Sequence, residues 1–145
     1  MSAPTLEVLV AHLIGVSAIY AFTGNRVFGL ELPPAQAATM PRACIVISLA
    51  GDITGAQDAT YTRIGGFRVD LFNYGTTPLE ALQVSRVSHD AMKAIHRAEK
   101  IVSGAGGLIY RANKSGGPIY LRDPEGNWPL VVESWQVLAA ETVTT

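Results

Sequence analysis

The side chains able to do chemistry are few and scattered. The chain has 145 residues, with three histidines and one cysteine. His89 and His96 stand seven positions apart, which on a helix separates them by about 10 Å along the axis. They cannot grip one metal ion together, and neither they nor His12 form an H-E-x-x-H pattern. Ser17 lies in Gly15-Val16-Ser17-Ala18, which is not the G-x-S-x-G of a nucleophile elbow and follows no strand. Gly104-Ala105-Gly106-Gly107 resembles a phosphate loop only in its glycines: no Lys-Ser/Thr ending and no G-x-G-x-x-G is present. It reads as a flexible turn between a helix and a strand. Asp52 and Asp58 share a loop at a spacing that fits no calcium site, and Asp70, Asp90, Asp123 and Glu133 are dispersed. Asn113-Lys114-Ser115 matches a glycosylation acceptor without a secretory signal to make it meaningful. Cys44 sits in the apolar run Ala43-Cys44-Ile45-Val46-Ile47 and reads as a small buried hydrophobe. A lone cysteine also excludes an internal disulfide or a cysteine metal cluster. These residues predict no catalytic set, no metal and no cofactor.

One weak constellation remains. Arg111, Lys114 and Arg122 fall on a C-terminal hairpin, and Arg42, Arg63 and Arg68 join them if the strands are neighbours. Such a surface suits phosphates or an acidic partner, and it equally describes an ordinary solvated hairpin. Net charge is −1, from 11 basic and 12 acidic residues. No general attraction to nucleic acid or membrane follows from that balance.

The elements that position these residues follow from periodicity and turn chemistry. Pro4 to Ile14 reads as a helix burying Leu6, Leu9, Val10 and Leu13, with a shorter turn continuing to about Tyr20. This stretch falls short of a spanning helix and lacks the basic start of a signal peptide, so the expectation is a protein kept in the cytoplasm of its host. Arg26-Val27-Phe28 is a short extended piece, residues 30–41 are a proline-containing loop, and Ala43 to Leu49 is a strand. Residues 51–66 read as a long hairpin connection into a strand from about Thr60 to Asn73, where Phe67, Val69 and Leu71 alternate with Arg68 and Asp70. Thr77-Pro78-Leu79-Glu80 is a capping box opening a helix to about Arg97. That helix has a wet face of Gln83, Arg86, Asp90, Lys93 and Arg97 and a buried face of Val84, Val87, Ala91 and Ile95. Short strands at 108–110 and 119–121 flank a turn at 113–117, a second turn covers 123–127, and Leu130 to Ala139 is the last strand.

The pattern predicts an α+β fold over residues 1–145, one domain. Its mostly antiparallel sheet of four to five strands carries two helices on one face and a long β-hairpin arm. Hydrophobic residues make up 48% and charged residues only 16%, against the usual quarter. Either small neutral residues coat the surface or a partner covers part of it. The last strand points the same way. Val131, Glu133, Trp135 and Val137 alternate with Val132, Ser134, Gln136 and Leu138, and neither side is cleanly polar. Its second face is covered by something, or the strand is a central one with ordinary exposed apolar residues.

In this order the features resemble the tail-terminator (tail-completion, head–tail joining) proteins of long-tailed bacteriophages and gene-transfer particles. The resemblance rests on Gly24-Asn25-Arg26-Val27-Phe28, on Met40-Pro41 before the strand Ala43–Ile47, and on Phe67-Arg68-Val69-Asp70-Leu71-Phe72. It continues through Thr77-Pro78-Leu79-Glu80-Ala81-Leu82 and the Trp-containing end from Trp128 to Leu138. Arg42 departs from it, since the family often has an aromatic after that proline. The resemblance implies a homohexameric ring in the virion, at the tail or neck, assembled in the host cytoplasm. Its implied partners are the tail tube protein, the head connector and, without sequence preference, DNA passing through the channel. Candidate interface or channel residues are Arg42, Arg63, Arg68, Arg111, Lys114, Arg122 and Trp135. Another neck component (a head–tail adaptor or head-closure protein) and a small ligand-binding α+β domain are the alternatives.

Overall fold

The structure, a computed structural model, describes residues 3–52, 62–97, 102–104, 107–124 and 126–142. Helices α1 (Ala3–Ile14) and α2 (Ser17–Thr23) lead to a short strand β1 (Val27–Gly29) and a four-residue helix α3 (Pro34–Ala37). Strands β2 (Cys44–Asp52) and β3 (Thr62–Tyr74) precede the long helix α4 (Pro78–Arg97). Strands β4 (Val102–Gly104), β5 (Gly107–Arg122) and β6 (Pro129–Thr142) follow. The strands form one six-stranded sheet in the order β1-β2-β3-β6-β5-β4. The β1–β2 pair is parallel and the other pairings are antiparallel, so the sheet is mixed and has more strands than the four to five expected. Strands β2 and β3 form the expected hairpin arm, and its tip, residues 53–61, lies outside the described residues.

Period-two alternation decides which side of the sheet is buried. The register sets Ile47 beside Leu71 and Leu71 beside Glu133; Val69 pairs with Trp135 and Phe67 with Val137. All of these point to the face under α1, α2 and α4, where Leu6, Leu9 and Leu13 of α1 and Val84, Ala91, Met92 and Ile95 of α4 close one core. Between α1 and α2 the chain bends by 85°, and among the described residues no single helix is long and apolar enough to cross a membrane.

The opposite face answers the question raised by the last strand. At one end it is covered by the chain itself. Phe28, Leu32 and Met40, from β1 and the segment carrying α3, pack with Trp128 over Cys44, Val46, Tyr74 and Leu130. Toward the other end Arg68 and Gln136 are exposed and Asp70 and Ser134 half-buried. Ser134 Oγ donates to Asp70 Oδ1 at 2.6 Å there.

One expectation is corrected. Residues 113–117 are not a turn: β5 runs unbroken through them, with register shifts against β6 at 109/111, 114/116 and 116/119. Bulges let a strand absorb turn-type residues without leaving the ladder. Gly117 makes this possible: its φ is 87°, and a Cβ there would lie 2.5 Å from the Val132 carbonyl oxygen. Only glycine accepts both conditions at little cost.

Candidate functional site

The start of α4 is built as its sequence predicts. Thr77 Oγ1 accepts from the Glu80 backbone N–H at 3.2 Å. The Glu80 carboxylate accepts in return from the backbone N–H of Thr76 at 2.7 Å, one residue earlier than the usual box. This fixes the helical phase that lays Ser85, Ser88 and His89 over the sheet.

Beneath them is the most unusual group in the described chain. Glu133, on β6, is 2% exposed. A buried carboxylate is costly unless its oxygens are paired, and here they are. Ser85 Oγ donates to Oε2 at 2.9 Å. His89 Nδ1 lies 3.0 Å from Oε1, and Lys114 Nζ of β5 approaches the same oxygen at 3.6 Å. A neutral pair continues the seam: Ser88 Oγ lies 2.9 Å from Asn73 Oδ1, and Asn73 Nδ2 donates to the Val131 carbonyl at 3.1 Å. The His89 ring also lies against Trp135, centroids 5.3 Å apart.

Serine, histidine and glutamate together invite comparison with a nucleophilic triad, and the geometry rejects it. A relay needs the serine proton to pass to the histidine and the histidine to be oriented by the acid. Here the serine and the histidine bind separate oxygens of one carboxylate, so the acid holds the serine proton instead of activating the oxygen. The arrangement fastens α4 to β5 and β6. Beside it opens a cleft of about 300 Å³ between Leu82, Arg86, Lys114 and Pro118. Among the described residues no group of three His, Cys, Asp or Glu side chains is placed to hold a metal ion.

The basic residues singled out in the sequence do not converge. The register puts Arg68 beside Gln136 and Arg111 beside Leu138, so these two share the open sheet face. Lys114 is on the helix face with Glu133. Arg122 donates to the Asn127 carbonyl at 3.0 Å, and Arg42 reaches Thr39 Oγ1 at 3.4 Å in the loop before β2. Arg63 pairs with Glu141 in the β3–β6 ladder, and its side chain lies outside the described residues. Trp135 is 1% exposed and belongs to the core, not to a surface of the subunit. Cys44 is buried, and burial pushes its thiol up to about 12, as suits an inert core residue.

Sequence reasoning missed Glu133, Ser85 and His89. The usable signal was the four-residue spacing of Ser85 and His89 at the margin of the buried stripe of α4. A carboxylate on the apolar side of the last strand was the other half of it. Neither half identifies the other without the strand register.

Among the described residues the exposed large apolar side chains are Tyr20, Leu30, Leu79, Leu82, Ile119, Tyr120 and Leu121. Leu79 and Leu82 of α4 and Tyr120 of β5 come together with Pro78 and Val131 around a shallow groove on the helix side of the sheet, while Ile119 and Leu121 pair with Val132 and Leu130 on the opposite face.

No protein-family model matches the chain, and no curated protein matches it. A solved structure does: a chain in the virion of a native gene transfer agent (GTA) particle is similar to this one with a TM-score of 0.65. The likeness covers 97% of this chain and 99% of that one at 12% identity, so what the two share is the fold.

Proposed function

We propose that this chain is a structural virion subunit, a ring-forming tail terminator that caps the tail tube, stops its polymerisation and joins the tail to the head connector. The carrying observation is the end-to-end likeness of fold to a chain of a gene transfer agent virion, with little of either chain left over. The site chemistry agrees: the one buried ionic cluster among the described residues is spent on holding a helix to the sheet. A ring closes through heterologous contacts, one patch meeting a different patch on the next copy, and the sheet presents different edges at β1 and at β4 with the part of β5 beyond it. Contact with DNA in the channel is electrostatic and independent of sequence, with Arg68 and Arg111 on the open face as its candidates.

The test is native mass spectrometry of the purified chain, alone and with tail tubes, with electron microscopy of the tubes. The expected result is a discrete hexamer seated at the tube end, with tube growth arrested. A twelve-subunit ring would move the assignment to another neck component. A chain that stays monomeric and never binds tubes would refute the proposal.

A further inference from the structure

We propose that the groove between α4 and β5 is the acceptor half of a head-to-tail contact, and that the donor half is the Leu30 corner of a second copy of this chain. This rests on the reading of the chain as a self-assembling subunit and names the surfaces that would do it. Leu79, Leu82 and Tyr120 are 65%, 49% and 48% exposed around one groove. Beyond its short pairing with β4 at residues 107–109, β5 has no strand on its outer side among the described residues. Apolar side chains there remain in water on an unprotected edge, a combination soluble proteins avoid unless a partner covers it.

The donor is identified by an oddity of backbone. Leu30 has φ 71° and is 47% exposed. A leucine in the left-handed region is strained, and this one only rims the hollow lined by Val46, Phe72, Tyr74 and Trp128, with nearly half of its surface left in water. Asparagine or glycine would hold this corner at less cost. Leucine makes sense there if it is buried elsewhere. Charge agrees: Glu31 is exposed next to Leu30, while Arg86 and Lys114 border the cleft that shares Leu82 with the acceptor groove. The two surfaces differ and lie at opposite edges of the sheet, as a heterologous contact demands.

Mixing of two variants tests this. Leu82→Glu spoils the acceptor and places a glutamate four residues before Arg86 on an exposed helix face, so the fold is kept. Leu30→Asn spoils the donor and relieves the backbone, so at a concentration where both chains are monomeric its thermal midpoint should equal or exceed that of the unmodified chain. Each variant alone should associate at least about tenfold more weakly by analytical ultracentrifugation. Mixed in equal amounts they should form a one-to-one dimer and nothing larger, because one intact donor and one intact acceptor remain. Assembly of Leu30→Asn like the unmodified chain would overturn this contact and leave the ring reading standing. So would loss of assembly in Leu82→Glu alone, without rescue on mixing. An unmodified chain that never associates, with or without tail tubes, would overturn both.

Discussion

Removing the Glu133 carboxylate is the sharpest probe of how this fold is held together. In Glu133→Ala the Ser85 hydroxyl loses its acceptor, a hydrogen bond to a charged group in a buried setting that contributes about 1.5–3 kcal/mol. The contacts to His89 and Lys114 contribute less. Their side chains are 28% and 34% exposed, and solvent screening brings each below about 1 kcal/mol. The variant also leaves a void under α4, while relieving the desolvation cost of the buried charge. The balance is a loss of about 2–4 kcal/mol. Glu133→Gln keeps the volume and an acceptor for Ser85, and should lose about 1–2 kcal/mol. The assay is urea unfolding followed by tryptophan fluorescence at one low protein concentration, so that association does not contribute to the midpoint. Ser85→Ala, alone and combined with Glu133→Ala, completes a double-mutant cycle with an expected coupling of about 1–2 kcal/mol. If Glu133→Ala falls within about 0.5 kcal/mol of the unmodified chain, or if the coupling is zero, the carboxylate does not anchor α4 and the account of the site fails.

The remaining predictions concern the core and the caps. Trp135→Ala should cost about 3–5 kcal/mol by the same assay, because it empties the largest buried side chain of the core; a loss below about 1 kcal/mol would contradict its central placement. Thr77→Ala should cost about 1 kcal/mol through the lost cap on the Glu80 N–H, read as a shift in the urea midpoint with an unchanged slope. Cys44 should resist a thiol reagent at pH 8 in the native protein and react fully once unfolded. Its thiol ionises near 9 when free and near 12 in the fold, so below pH 9 it adds no pH dependence to stability. From pH 9 towards 12 the unfolded state alone gains by ionising, and the stability linked to this group is progressively lost. Native labelling at pH 8 at the unfolded rate would refute its burial.

Much of the fold was legible residue by residue. The capping residues Thr77 and Glu80, the alternation of Phe67, Val69 and Leu71, and the apolar run from Cys44 to Ile47 each express local physics carried by contiguous residues. The elements they predict are present with small shifts at their ends. Where local signals were read alone they failed. Residues 113–117 have the composition of a turn, but Asn113, Lys114 and Gly116 pair with β6 and the residues between them are taken up as bulges.

What the sequence by itself determined is the helices α1 and α4, the strands β2, β3 and β6, the apolar alternation of β3 and the capped start of α4. Only the tertiary structure decided which residues meet. It joined Ser85, His89 and Lys114 at Glu133, separated Arg68 and Arg111 from Lys114, and turned Trp135 into the core. It also covered one end of the open sheet face with Phe28, Leu32 and Met40. Periodicity records that a side chain is buried but not what buries it. That second fact belongs to strand order and register, which are set by contacts between residues far apart in the chain.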